Sequence, residues 1–110
     1  KIHTRLGPGL FESVYEEVLC HELGKEGLLF ERQKSIPVVW EDIKLDQGFR
    51  ADIIIDKKLI LEIKSVEKIA KVHHKQLLTY LKLTDIKLGL LINFNESLIK
   101  NGIQRVVNNL

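Results

Sequence analysis

Arg50-Ala51-Asp52-Ile53-Ile54-Ile55-Asp56-Lys57-Lys58-Leu59-Ile60-Leu61-Glu62-Ile63-Lys64-Ser65 is the stretch that decides the fold. Two apolar runs, Ile53 to Ile55 and Leu59 to Ile63, flank a charged break at Asp56-Lys57-Lys58. Short β-branched runs around such a break predict two strands joined by a tight turn. Three charged residues are set among them: Asp52, Glu62 and Lys64. Burying a carboxylate is costly unless something compensates, and a bound cation is the usual compensation.

Strand parity makes this reading sharper. Alternate residues share a face, so Glu62 and Lys64 point the same way, and Ile63 offers its carbonyl near the same edge. Asp52 joins them only if it lies opposite Glu62 or Lys64. Pairing Asp52 with Glu62 requires a three-residue loop at 56–58. A two-residue loop would set Asp52 across from Ile63 and turn Glu62 to the other face.

The 110 residues suit one domain, 1–110, large enough to bury roughly two-thirds of its unfolded surface. No apolar run is long enough to span a membrane, and no secretory signal pattern is present. The single Cys20 excludes an intramolecular disulfide and suits a reducing cytoplasm. A net charge of +2 is too small to announce nucleic acid by itself. There is no Met, so the amino terminus is expected to be truncated.

Upstream, apolar residues recur at helical spacing from Leu10 and Phe11 through Val14, Tyr15, Val18 and Leu19. They predict a helix from Pro8 or Gly9 to Lys25, stopping before Gly27. Glu12 lies at the border of that stripe, Tyr15 reads as a core aromatic, and Glu22 is expected to pair with Arg32 or Arg50. Leu28 to Gln33 and Ile36 to Trp40 read as strands, with Pro37 marking an edge or a bulge. Turns are expected at Glu41 to Lys44 and at Asp46-Gln47-Gly48, and Trp40 is expected to cover a sheet edge. A second helix, Lys68 to Leu83, would bury Ile69, Val72, Leu77, Tyr80 and Leu81, with Gln76 in the same stripe. Lys71, Lys75 and Lys82 take its opposite face. Leu88 to Phe94 reads as a strand covered on both faces and parallel to the Glu62 strand. Gly102 to Val107 reads as a last edge strand. The fold class is therefore α/β, a central mixed sheet flanked by helices.

Asp52, nine residues, then Glu62-Ile63-Lys64 resembles the core of the PD-(D/E)xK nuclease superfamily. Gly9-Leu10-Phe11-Glu12-Ser13-Val14-Tyr15 resembles the GxxExxY signature of one family within it, and Gln76-Leu77-Leu78-Thr79-Tyr80 resembles the QxxxY element of its RecB-like branch. The motif order matches across nearly the whole chain. Ala51 stands where the superfamily's name has Pro, a position that holds no ligand.

The resemblance implies a restriction-endonuclease-like domain that hydrolyses phosphodiester bonds, with DNA the expected substrate. Mg²⁺ or Mn²⁺ would be held by Asp52, Glu62, the Ile63 carbonyl and Glu12, since both ions prefer oxygen ligands. Lys64 would neutralise charge developing on the phosphate, while Gln76 would position phosphate or water with support from Tyr80. Lys57, Lys58 and Lys68 are the expected phosphate contacts, and a homodimer would enlarge the binding surface. Two readings stay open beside this one. Asp52, Lys64 and Glu62 also suit a buried ionic network, and the same fold without turnover would be a nucleic-acid-binding or assembly module.

Overall fold

Asp56 and Lys57 both adopt left-handed backbone, with φ of 51° and 55°, and the Lys58 N–H closes the turn on the Ile55 carbonyl at 2.9 Å. Two successive positive φ values reverse a chain with the twist that hairpin strands need. The strands then pair Ile55 with Leu59, Ile54 with Ile60 and Ile53 with Leu61. The loop is thus the three residues 56–58, and the same register sets Asp52 opposite Glu62.

These features come from a computed structural model that describes residues 1–109, leaving aside the side chains of 45–48. The elements are α1 (Ile2–Leu6), α2 (Glu12–Lys25), β1 (Phe30–Trp40), β2 (Ile43–Ile55), β3 (Leu59–Lys64), α3 (Lys71–Thr84), β4 (Leu88–Asn93) and β5 (Ile103–Val107). The sheet has the order β1-β2-β3-β4-β5. Only β3 and β4 run parallel, joined through α3, and the other neighbours are antiparallel.

Each face of the sheet has its own helix. On one side Leu77, Tyr80 and Leu81 of α3 pack on Ile54, Ile60 and Leu91. On the other, Tyr15 and Cys20 of α2 pack on Ile53, Leu61 and Ile63, with Phe94 from the end of β4. Tyr15 stacks on Phe94 with ring centroids 4.3 Å apart, and its hydroxyl donates to the Gly7 carbonyl at 2.5 Å. It is the satisfied core aromatic that the sequence suggests.

Several element boundaries differ from expectation, each for a local reason. Gly9 is left-handed (φ 94°) and Phe11 is extended, so α2 starts only at Glu12. Gly27 is left-handed (φ 74°) and ends it as expected. Ala70 is extended, and the α3 start moves to Lys71, where His73 Nδ1 accepts the Ala70 N–H at 3.0 Å. Phe30 to Trp40 form one strand rather than two, and β2 runs straight through Asp46-Gln47-Gly48. The turn signal there emerges as a bulge instead: the pairing steps from Ile36–Phe49 to Val38–Leu45 around Pro37, on an edge strand. Trp40 stands 67% exposed at the hairpin end, too open to be the sheet-edge cover expected of it. Val72 and Phe11 are exposed too, because burial along α3 begins only at Leu77 and Phe11 sits outside the α2 helix.

Candidate active site

The site forms where the β2–β3 ladder stops. Its last pair is Ile53 with Leu61. Beyond it the Ile63 N–H donates to Asp52 Oδ2 at 2.8 Å, and the Asp52 N–H donates to Glu62 Oε1 at 3.3 Å. Side-chain carboxylates have taken over from backbone carbonyls. A strand residue directs its N–H and C=O to the same edge. The Ile63 carbonyl therefore faces the Asp52 gap, while the Lys64 carbonyl turns the other way and accepts the Phe94 N–H at 2.9 Å.

β1 and β2 also turn over at this point. Ile53 packs on the α2 side of the sheet and Ala51 on the α3 side, although both are odd-numbered. Phe30 and Ile36 of β1 divide in the same way. The switch falls around Asp52 and the facing Gln33, which carries a left-handed φ of 46°. Gln33 Nε2 donates both to Glu16 Oε1, at 2.6 Å, and to Asp52 Oδ1, at 3.3 Å. Glu16 is buried and further tied by Arg32 Nη2 at 2.9 Å, whose Nη1 reaches Glu17 at 2.8 Å.

The electrostatics show an incomplete charge set. Burial pushes the Glu62 carboxyl up to about 8, and the neighbouring Asp52 charge pushes it further the same way, against the opposing pull of Lys64. Asp52 is raised as well, chiefly by burial, while the Ile63 N–H and Lys64 favour its ionised form. The Tyr80 hydroxyl is raised by burial and then by the charges of Glu62 and Asp52, so it lies within their electrostatic reach.

Asp52, Glu62, Ile63, Lys64 and Tyr80 are thus brought together. Glu12 is not with them: it is exposed, and its Oε2 accepts the Ser65 N–H at 2.9 Å, one residue beyond Lys64. Gln76 is exposed one helical turn before Tyr80, so the buried amide expected there is a solvated one. Lys68 is exposed in the segment between β3 and α3. Lys57 and Lys58 sit in the turn before β3, at its opposite end from Lys64, so they are not near the site, and Lys58 pairs with Asp56 at 3.8 Å. Their nearness in sequence to the motif misleads because a strand carries its ends apart, by about 3.3 Å per residue. Glu22 pairs with Lys1 and Lys25, since Arg32 is already taken by Glu16 and Glu17.

Glu16 and Gln33 were not legible as site residues. Glu16 had a signal, lying four residues after Glu12 on the same helix face. Nothing in the sequence marks the left-handed turn at Gln33.

Among the described residues, no three His, Cys, Asp or Glu side chains form a ready-made metal cluster. A small divalent ion does not need one. Mg²⁺ binds through one or two carboxylates and keeps waters or phosphate oxygens in its other positions. A buried carboxylate, Glu62, a half-buried one, Asp52, and a carbonyl outside the ladder fit that need, and all are hard oxygen donors.

A family model described as PD-(D/E)XK nuclease superfamily matches residues 1–106. Among curated proteins and among solved structures nothing matches the chain.

Proposed function

The chain belongs to the PD-(D/E)XK nuclease superfamily, whose members generally use divalent metal ions, and we propose that it is a Mg²⁺- or Mn²⁺-dependent nuclease acting on DNA. The observation that carries this reading is the broken ladder, which leaves Asp52, Glu62 and the Ile63 carbonyl around one gap with Lys64 acting on both acids. The order Glu12, Asp52, Glu62-Ile63-Lys64, Gln76 and Tyr80 supports a GxxExxY-type member of the RecB-like branch.

Asp52, Glu62 and the Ile63 carbonyl would hold the ion. When bound, it supplies charge to phosphate oxygens and acidifies water. Lys64 stabilises the negative charge that develops on the phosphate. Tyr80, within the electrostatic reach of Glu62 and Asp52, would support Gln76, which is solvated one turn away and free to orient phosphate or water. Lys68 serves as the near phosphate contact, while Lys57 and Lys58 reach only a substrate long enough to follow β3. Glu12 acts through Ser65, holding the backbone that follows Lys64. A second copy of the chain would lengthen an otherwise small nucleic-acid surface, and the buried free Cys20 suits a reducing cytoplasm.

The test is cleavage of single- and double-stranded DNA and RNA in Mg²⁺ and Mn²⁺, with Lys64→Ala alongside. The variant should lose on the order of 10²-fold or more in rate, as loss of a transition-state charge partner does. Equal cutting by both proteins would sink the assignment. Salt-sensitive binding with no cutting in either ion would favour a binding module instead.

A further inference from the structure

Phe11 is 83% exposed, yet the backbone that carries it is firmly held. The Leu10 carbonyl before it accepts Ser65 Oγ at 2.7 Å, and the Glu12 carboxylate after it accepts the Ser65 N–H at 2.9 Å. The Leu10 N–H donates to the Tyr15 hydroxyl at 3.2 Å, and the Phe11 carbonyl accepts the Val14 N–H at 3.1 Å. An apolar ring left in water on a mobile loop would be unremarkable. Here the backbone that carries the ring is fixed, at the edge of the site, because the residue that holds it, Ser65, is the neighbour of Lys64. Consecutive Cα atoms lie about 3.8 Å apart, and the path through Ser65 and Leu10 puts the Phe11 Cα within about 15 Å of that of Lys64. That is a span of a few nucleotides.

We propose that Phe11 is a stacking platform for an unpaired nucleobase, so that the site takes single-stranded or frayed nucleic acid in preference to intact duplex. The inference rests on the nuclease reading and names its substrate class. A base inside a duplex has both faces covered by its neighbours, and only an unpaired or flipped base offers a face to a protein ring. Aromatic rings that stack such bases serve every base alike and stand beside backbone-binding charge. Lys64 and the exposed Lys68 provide that charge on the chain segment that anchors Phe11.

The experiment compares kcat/KM on a labelled single-stranded oligonucleotide and on the same sequence as a blunt duplex. Phe11→Ala should lose on the order of tenfold on the single strand, mainly through KM, the scale of one lost base–aromatic stack, and little on the duplex. Phe11→Leu should not restore the loss. Phe11→Trp should, and in a Trp40→Phe background its emission should be quenched by the single strand. An equal loss on both substrates, no loss on either, or full rescue by Leu overturns the platform while leaving the nuclease standing. Wild type that cuts and binds neither substrate removes the nuclease reading and the platform with it.

Discussion

Asp52 Oδ2 accepts the Ile63 N–H at 2.8 Å, in a position where an unbroken antiparallel ladder would offer a backbone carbonyl. One carboxylate therefore ends a sheet ladder and opens a gap at once. The strand needs the acceptor, because a buried N–H without a partner is costly. The gap frees the Ile63 carbonyl. Structure and chemistry at this point depend on the same side chain, and substitution can separate them.

Asp52→Ala should remove the acceptor and destabilise the protein by about 1–3 kcal/mol, the cost of an orphaned donor. Asp52→Asn retains an acceptor oxygen for the Ile63 N–H and should stay within about 1 kcal/mol of wild type. Both should lose Mn²⁺ binding, since neither supplies an anionic ligand. Urea denaturation beside calorimetric Mn²⁺ titration reads the two effects separately. Asn binding Mn²⁺ as tightly as Asp would remove Asp52 from the ligand set.

Stability without metal should fall as pH rises. Glu62 titrates near 4.5 in the unfolded chain and at about 8 in the fold. Between those values the folded state binds the extra proton, so raising pH favours unfolding. The contribution is complete below about pH 4.5 and is lost as pH passes about 8. Asp52, raised in the same direction, adds to it. In EDTA the Tm should therefore be higher at pH 6 than at pH 8. Glu62→Gln should flatten that slope and raise the Tm at pH 8. A Tm that rises with pH in wild type would show that the pair is not short of positive charge.

The part of this site that was legible in sequence is the part set by local pattern. The Asp56-Lys57-Lys58 break marks the turn but leaves a two- or a three-residue loop open, and the three-residue loop of the fold is the one that sets Asp52 against Glu62. Parity placed Glu62 and Lys64 together, and the apolar run at Leu88 foretold a parallel strand beside them. Glu16 and Gln33 depend instead on β1 and β2 turning over together, which follows from tertiary twist and a left-handed residue that no Gly or Asn announced. Gln76 shares the apolar stripe by helical spacing yet is exposed, because spacing gives a direction but not how far along α3 the sheet extends.

Gln33 offers a test of that missed half. A left-handed φ costs a non-glycine residue on the order of 1–2 kcal/mol, so Gln33→Gly relieves strain while deleting the amide that ties Glu16 to Asp52. Gln33→Ala deletes the amide and keeps the strain. Activity should drop alike in both, by roughly tenfold if loss of the tie displaces Asp52 as a small misplacement in an active site does. Stability should be higher in Gly than in Ala by about 1 kcal/mol. Rate assays with matched urea curves decide it, and unchanged rates in both variants would make the tie purely structural.

Asn93 holds the other flank of Lys64. It is fully buried, its Nδ2 donates to the Val66 carbonyl at 2.8 Å, and its Oδ1 accepts the Val66 N–H at 3.1 Å and the Asn95 N–H at 3.2 Å. The side chain thus pairs with Val66 as a neighbouring strand would, two residues past Lys64, while Glu12 holds Ser65 from the α2 side. Asn93→Ala strands buried backbone groups and should cost about 2–4 kcal/mol, more than one orphaned group alone. The Val66 amide should then exchange with solvent much faster than those of Leu61 and Ile63, since local opening follows the loss of local bonds. Gly102 backs the same strand end: a Cβ there would clash with the Asn93 carbonyl oxygen, a contact with backbone that cannot swing aside. Gly102→Ala should therefore destabilise too, and speed Val66 exchange without touching any site residue. Exchange at Val66 that stays slow in both variants would mean the Lys64 segment is held from the α2 side alone.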